Sequence, residues 1–170
     1  MLRNEHIRLR ALEPDDLELL YRVENDTSLW HVGTTNEPLS RQSLRDYLLR
    51  TTSDIYADRQ LRLVIETVGR EPVGMIDLAN FEPRHRRAEV GIVVLAPYGR
   101  KGYASQALSL LIDYCRHFLH LHQLYASVPA ANQPSLRLFK QAGFHQTAIL
   151  KDWLATPEGY EDVALFQLLL

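Results

Sequence analysis

The segment that most constrains this chain is Val93-Val94-Leu95-Ala96-Pro97-Tyr98-Gly99-Arg100-Lys101-Gly102-Tyr103-Ala104. A strand runs out, the chain turns through a glycine-containing basic loop, and a long amphipathic helix follows at once. The unbroken apolar end from Ile92 to Leu95 suits a strand buried on both faces. Ala104, Leu108, Leu111, Cys115 and Phe118 recur at spacings of three and four, the stripe of a helix from about Gly102 to about His120. Such a junction suits a diphosphate. The first N–H groups of a helix lack internal partners, glycine lets the backbone come close, and the helix dipole favours an anion. Arg100 and Lys101 add positive charge. The same residues equally fit a capped turn whose basic side chains face water.

The flanking sequence predicts what surrounds this junction. His6 to Arg10 alternates and reads as an opening strand, and Glu13-Pro14-Asp15-Asp16 starts a helix carrying Leu17, Leu20, Tyr21 and Val23. Thr27 to Pro38 lacks periodicity and reads as a loop, with a second helix from near Ser40. Leu61–Thr67 and Pro72–Asn80 read as strands around the turn Gly69-Arg70-Glu71, and with Arg87–Leu95 they form an antiparallel meander. Leu124–Val128 is a further strand, Ser135–Gln141 a short helix ended by Gly143, and Phe144–Leu150 and Glu161–Leu170 are two closing strands. The order implies an α/β (α+β) chain, a mixed sheet with helices inserted at particular points. Without repeats or a flexible linker, residues 1–170 read as a single domain.

Several function classes are disfavoured. A formal net charge of -2 gives no overall basic field to draw nucleic acid or an acidic membrane. The sole cysteine, Cys115, excludes an internal disulfide and lies on the helix stripe, where it reads as packing. His117, His120 and His122 suit the dipole at a helix end better than a metal, so no metal is expected. No apolar run approaches the ~20 residues of a membrane span, and the start lacks a signal-peptide hydrophobic region, so a cytoplasmic location is expected.

The basic loop is neither of the two commonest nucleotide loops. Lys101 precedes Gly102 with no hydroxyl in the P-loop place, and Ser105 stands where a dinucleotide fingerprint needs its third glycine. It resembles the coenzyme A loop of the GNAT superfamily, commonly written Gln/Arg-x-x-Gly-x-Gly/Ala, with Gly102 and Ala104 at the last two fixed positions. Gly99 departs from the pattern at the first, and Arg100 is the nearest replacement. About thirty residues on, Asn132-Gln133-Pro134-Ser135-Leu136-Arg137-Leu138-Phe139-Lys140-Gln141-Ala142-Gly143-Phe144 is similar to the family's Asn-x-x-Ser/Ala-x-x-Leu-Tyr/Phe-x-x-x-Gly-Phe. The outer segments Ile7–Asp16, Arg86–Ile92 and Lys151–Asp162 look like the branch holding ribosomal-protein and spermidine (diamine) acetyltransferases.

The resemblance implies a GNAT fold, a mostly antiparallel sheet of about six to seven strands flanked by about four helices. It implies acetyl-CoA as cosubstrate, held by Val93, Val94, Leu95, Arg100, Lys101, Gly102, Tyr103, Ala104, Asn132, Ser135, Phe139 and Lys140. It also implies direct attack of an amine on the thioester, with a backbone N–H in a bulged Val93–Leu95 region polarising the acetyl carbonyl. An alkylamine has a pKa of ~10.4 and needs a base, for which Glu89 leads and Asp77 and Glu24 are weaker candidates. A salt-paired surface role beside Arg86 or Arg87 is the alternative for Glu89. Phe139 stands where relatives place a tyrosine acid, so no general acid is assigned; Tyr103, Tyr125 or water are substitutes. Trp153 and Tyr160 either wall the acceptor site or, the favoured reading, pack a hairpin. The acceptor is expected to be a polyamine or diamine such as spermidine; a protein N-terminus, or a coenzyme A-binding regulatory module, are the other readings. Related enzymes are often dimers, so a homodimer is implied.

Overall fold

In the computed structural model, which describes residues 1–30, 37–50 and 54–170, strand alternation decides what each face of the sheet meets. The strands are β1 (Ile7–Ala11), β2 (Leu61–Thr67), β3 (Pro72–Glu82), β4 (Arg87–Val94), β5 (Gln123–Pro129), β6 (His145–Thr156) and β7 (Gly159–Leu169). Five α-helices lie among the described residues: α1 (Leu17–Glu24), α2 (Arg41–Arg50), α3 (Ile55–Asp58), α4 (Tyr103–His117) and α5 (Gln133–Gln141). The sheet order is β1-β2-β3-β4-β5-β7-β6, and every neighbouring pair is antiparallel except β4 with β5.

Ile7 and Leu9, Leu63 and Ile65, Ile76 and Leu78, and Ala88 and Val90 all point to one face. There they share a core with Leu108, Leu111 and Cys115 of α4 and with Phe139 of α5. The alternate residues Val64 and Met75 face the other way, against Leu19 and Leu20 of α1 and Leu44 of α2. By the same parity Arg62, Asp77, Glu89 and Val93 belong to the α1–α2 face. The sheet thus carries the long helix on one side and the first two helices, with a row of charged side chains, on the other.

β4 and β5 pair over only Arg87↔Gln123, Ala88↔Leu124 and Glu89↔Tyr125. Beyond that β5 continues along β7 as far as Pro129↔Val163, while β4 continues along β3 to Val94↔Gly74. The two parallel strands therefore part, and among the described residues no strand pairs with the second edge of Val90–Val94, in the middle of the sheet.

This parting explains one departure from the sequence reading. Ile92–Leu95 is half-buried rather than buried on both faces, because no strand lies beside its second edge. A second departure is the bulge expected at Val93–Leu95, since β4 stays in register with β3 from Glu89 to Val94. The irregularities lie elsewhere, between Ala79 and Glu82 of β3 facing β4 and between Ile65 and Glu66 of β2 facing β3. Gly74 lets β3 and β4 approach closely: a Cβ there would sit 2.2 Å from the Val93 carbonyl oxygen.

Other elements form close to expectation, with local corrections. A 3-10 turn over Pro14–Asp16 precedes α1, and Asp16 accepts from the Glu13 N–H at 2.8 Å. α3 was not read from the sequence; Asp54 caps it by accepting from the Tyr56 N–H at 2.9 Å. The loop expected over Thr27–Pro38 lies partly outside the described residues, at 31–36. Phe118 leaves the buried stripe, 59% exposed and stacked on Tyr114 at 5.2 Å; Ala107 and Ile112 take its place. Trp153 and Tyr160, at 61% and 71% exposure, do not pack the β6–β7 hairpin. No helix among the described residues is long and apolar enough to cross a membrane.

The first strand is tied down by ions. Arg10 donates to Asp16 at 2.6 and 2.8 Å and to Glu66 at 2.7 Å, and Arg8 also pairs with Glu66. Burial raises both carboxylates, but their arginine hydrogen bonds prevail and hold both below the ordinary carboxylate range. Folded values below unfolded ones mean stability present at neutral pH and lost as pH falls through the carboxylate range. Replacing Glu66 by Gln should therefore lower Tm at pH 7 and flatten its fall between about pH 5 and 2, checked by thermal melts across pH. Gly74→Ala should lower Tm by roughly 3–10 °C, since overpacking costs about 1–3 kcal/mol.

Candidate functional site

The free edge of β4 opens into a cleft of about 460 Å³. Its walls are Ile92 and Val94, the loop residues Tyr98, Gly99 and Arg100, the first turn of α4 from Gly102 to Ser105, and Pro134, Ser135, Arg137, Leu138 and Gln141 of α5. Gly102 caps α4 in the left-handed conformation, φ 79°, and no side chain caps that helix start. The N–H groups of the first turn, which an α-helix leaves without internal partners, are therefore available to a ligand. Arg100 is also left-handed at φ 60°. Coenzyme A carries amides along an extended arm and a diphosphate, and the residues present fit both. The β4 edge offers unpaired backbone groups for the amides, and the α4 start with Arg100 and Arg137 offers donors for the diphosphate.

On the opposite, α1–α2 face lies a second cleft of about 420 Å³. Glu24, Trp30, Arg62, Asp77, Asn80, Glu89, Gly91, Val93 and Ser127 are among its lining, and Ile92 lines both clefts. Three carboxylates face one guanidinium among the described lining residues.

The charges are not equivalent. Arg62 donates to Glu24 at 2.6 Å and to Asp77 at 3.2 and 3.1 Å. Burial disfavours the Arg62 charge, but Asp77 and Glu24 outweigh it and hold the group protonated. Burial also raises the Asp77 carboxyl above its ordinary range, although Arg62 pulls it down. Among the described residues Glu89 has no cation as a hydrogen-bond partner. Its Oε2 accepts from Asn80 Nδ2 at 2.8 Å and its Oε1 from Ser127 Oγ at 2.7 Å. The partners expected from sequence, Arg86 or Arg87, are not the ones that bond it.

Of the residues expected to hold the cofactor, Val94, Arg100, Gly102, Tyr103, Ala104 and Ser135 line the first cleft. Val93 lines the second. Leu95 packs toward α1 and α2, and the Lys101 ammonium sits 5.4 Å from the centre of the Tyr98 ring. Asn132 spends its side-chain oxygen capping α5, accepting from the Ser135 N–H at 3.2 Å. Lys140 is exposed outside the lining. Phe139 is 3% exposed, 5.1 Å from the Phe144 ring and 6.4 Å from Phe166. Arg137, Leu138 and Gln141 were missed, although their spacing from Pro134 marks the face of α5 opposite Phe139. Burial pushes the Cys115 thiol up to about 12, so it is no nucleophile at neutral pH. His117 closes α4 with Asp113 Oδ1 at 3.4 Å, while His120 and His122 lie beyond the helix.

A family model described as an acetyltransferase (GNAT) domain matches residues 6–145. The spermidine N(1)-acetyltransferase of Vibrio cholerae is 25% identical over 160 residues, covering 94% of this chain and 91% of that protein. The spermidine N(1)-acetyltransferase of Escherichia coli K12 is 29% identical over 141 residues, covering 81% and 72%. Among solved structures, the spermidine N-acetyltransferase from Vibrio cholerae in complex with CoA and spermine aligns with a TM-score of 0.86 at 26% identity. That alignment covers 98% of this chain and 96% of the other.

Gly102→Val tests the first cleft. A β-branched residue in the left-handed region costs about 1–2 kcal/mol and distorts the helix start. We expect calorimetric binding of coenzyme A to weaken about tenfold or more; unchanged affinity would remove the α4 start from the site.

Proposed function

The chain belongs to the GNAT acetyltransferases, and we propose that it acetylates a primary amine of a small polycation, of which spermidine is the type, with Glu89 as general base. Acetyl-CoA is the cosubstrate and supplies the acetyl thioester. Arg100, Lys101, Gly102, Tyr103 and Ala104 would hold the diphosphate, and Val93–Leu95 the pantetheine arm. Asn132, Ser135 and Lys140 would act on the nucleotide side, Asn132 by fixing the start of α5 and Phe139 by packing beneath it.

The observation that carries this reading is the second cleft: an acid-rich cavity that shares the lining residue Ile92 with the first. A polyamine brings several positive charges, and carboxylates in a partly dry cleft compensate its desolvation. Arg62 ties Glu24 and Asp77 together, whereas the described partners of Glu89 are the neutral donors Asn80 and Ser127, which leave it open to the incoming ammonium. Glu89 takes the proton from an amine whose free pKa is ~10.4, making it nucleophilic. The similarity to spermidine acetyltransferases of Vibrio cholerae and Escherichia coli supports the same acceptor class. A protein N-terminus brings a single ammonium on an extended backbone and makes less use of the acids.

Acetyl-CoA turnover with spermidine, set beside a basic N-terminal peptide, decides the acceptor. We expect kcat/KM for spermidine to exceed that for the peptide by at least a hundredfold; the reverse order would overturn the polyamine reading. Glu89→Gln should lower kcat by ~10²–10⁴, the usual worth of a general base, while coenzyme A binding is retained.

A further inference from the structure

The base assigned above is gripped at both oxygens, from the strands on either side of β4. β4 and β5 pair last at Glu89↔Tyr125. Ser127 lies two residues further along β5, past the point of parting, and its backbone is in register with Leu165 of β7. Its hydroxyl nonetheless reaches back across the opening to Glu89 Oε1 at 2.7 Å. Asn80 comes from the other side. It stands in the register irregularity between Ala79 and Glu82 of β3, in the left-handed conformation at φ 48°. Asparagine tolerates that backbone better than most residues, but glycine would serve it as well. The amide adds what glycine lacks: a donor to Glu89 Oε2 at 2.8 Å.

We propose that Asn80 and Ser127 are positioning residues for the acetyl transfer: together they fix the Glu89 carboxylate at the vertex of the β4–β5 opening. The proposal rests on Glu89 being the base. Two neutral donors on a carboxylate fix its rotamer and favour its ionised form without adding a cation that would compete with the substrate ammonium. That distinguishes Glu89 from Glu24 and Asp77, whose donor in the same cleft is Arg62. Ser127 also ties aim to shape. Because its hydroxyl spans the gap, the base holds one position relative to both strands that part there.

Among the described residues, the titratable groups around Glu89 are Arg62 on β2, Asp77 on β3, Arg87 on β4, Tyr125 on β5 and Glu24 on α1. Removing Ser127 removes no charge, so a shift in its pH dependence reports on the lost donor; removing Asn80 also takes a hydrogen bond from Tyr125. The experiment measures kcat, KM for both substrates and the pH profile of kcat/KM for Ser127→Ala, Ser127→Thr, Asn80→Gly and Glu89→Gln, with spermidine as acceptor. Ser127→Ala and Asn80→Gly should each lower kcat about tenfold and move the acid limb of the profile to higher pH. KM for acetyl-CoA should stay within twofold. Ser127→Thr, which keeps the hydroxyl, should restore both kcat and the limb. If Glu89→Gln is inactive while Ser127→Ala and Asn80→Gly keep the wild-type rate and profile, positioning is overturned and the base assignment stands. Wild-type turnover in Glu89→Gln would overturn the base and the positioning with it. Should Asn80→Gly melt early, the exposed Ser127 pair still decides the matter.

Discussion

The structure depends on one interaction that stops early: the parallel ladder between β4 and β5, which ends at Glu89↔Tyr125. A polar backbone edge in the middle of a sheet is costly unless something pairs with it. Here β3 satisfies one side of Val90–Val94 and the other faces a cleft shaped for an extended ligand with amides of its own. Ile92, on that strand, borders the cavity on each face of the sheet.

Alternation along the strands then sorts chemistry between the faces. Residues flanking Glu89 and Asp77 point to the α4 core, so the acids point to the α1–α2 side without any special loop to aim them. A sheet face lined by Glu24, Asp77 and Glu89 would repel itself if all were unpaired. Arg62, reaching Glu24 and Asp77 together, relieves that repulsion and leaves the charge of Glu89 to be held by neutral hydrogen bonds. One arginine thereby decides which acid stays available, a division not visible in the composition of the cleft.

Much of this was legible in the sequence because it rests on local rules. Leu61–Thr67 carries its strand period and its limits in the residues themselves, and the Gly102 junction announces a helix start that binds anions. What was not legible depends on separation in space. Nothing in Ile92–Leu95 says that the next parallel strand will leave it, so an apolar run reads as buried on both faces when it borders two cavities. Phe118 continues the helical spacing of α4 but falls past the helix end at His117, where the stripe no longer faces the sheet. Gly74 carries no motif, because its reason is a carbonyl nineteen positions away that would meet any Cβ. Asn80 and Ser127 are ordinary residues until the fold brings them to opposite sides of one carboxylate.

Phe139 fits this picture once its surroundings are counted. Its ring is closed in by Phe144 and Phe166, so at this position the chain has an anchor holding α5 to the sheet core. That anchor fixes the opposite face of α5, from Pro134 to Gln141, as a wall of the coenzyme A cleft. A thiol with an ordinary pKa near ~8.5 leaves as thiolate with far less help than an alkylammonium needs to lose its proton at ~10.4. The more demanding proton transfer of an acetyl transfer is therefore at the amine and not at the thiolate, whose usual acid Phe139 replaces.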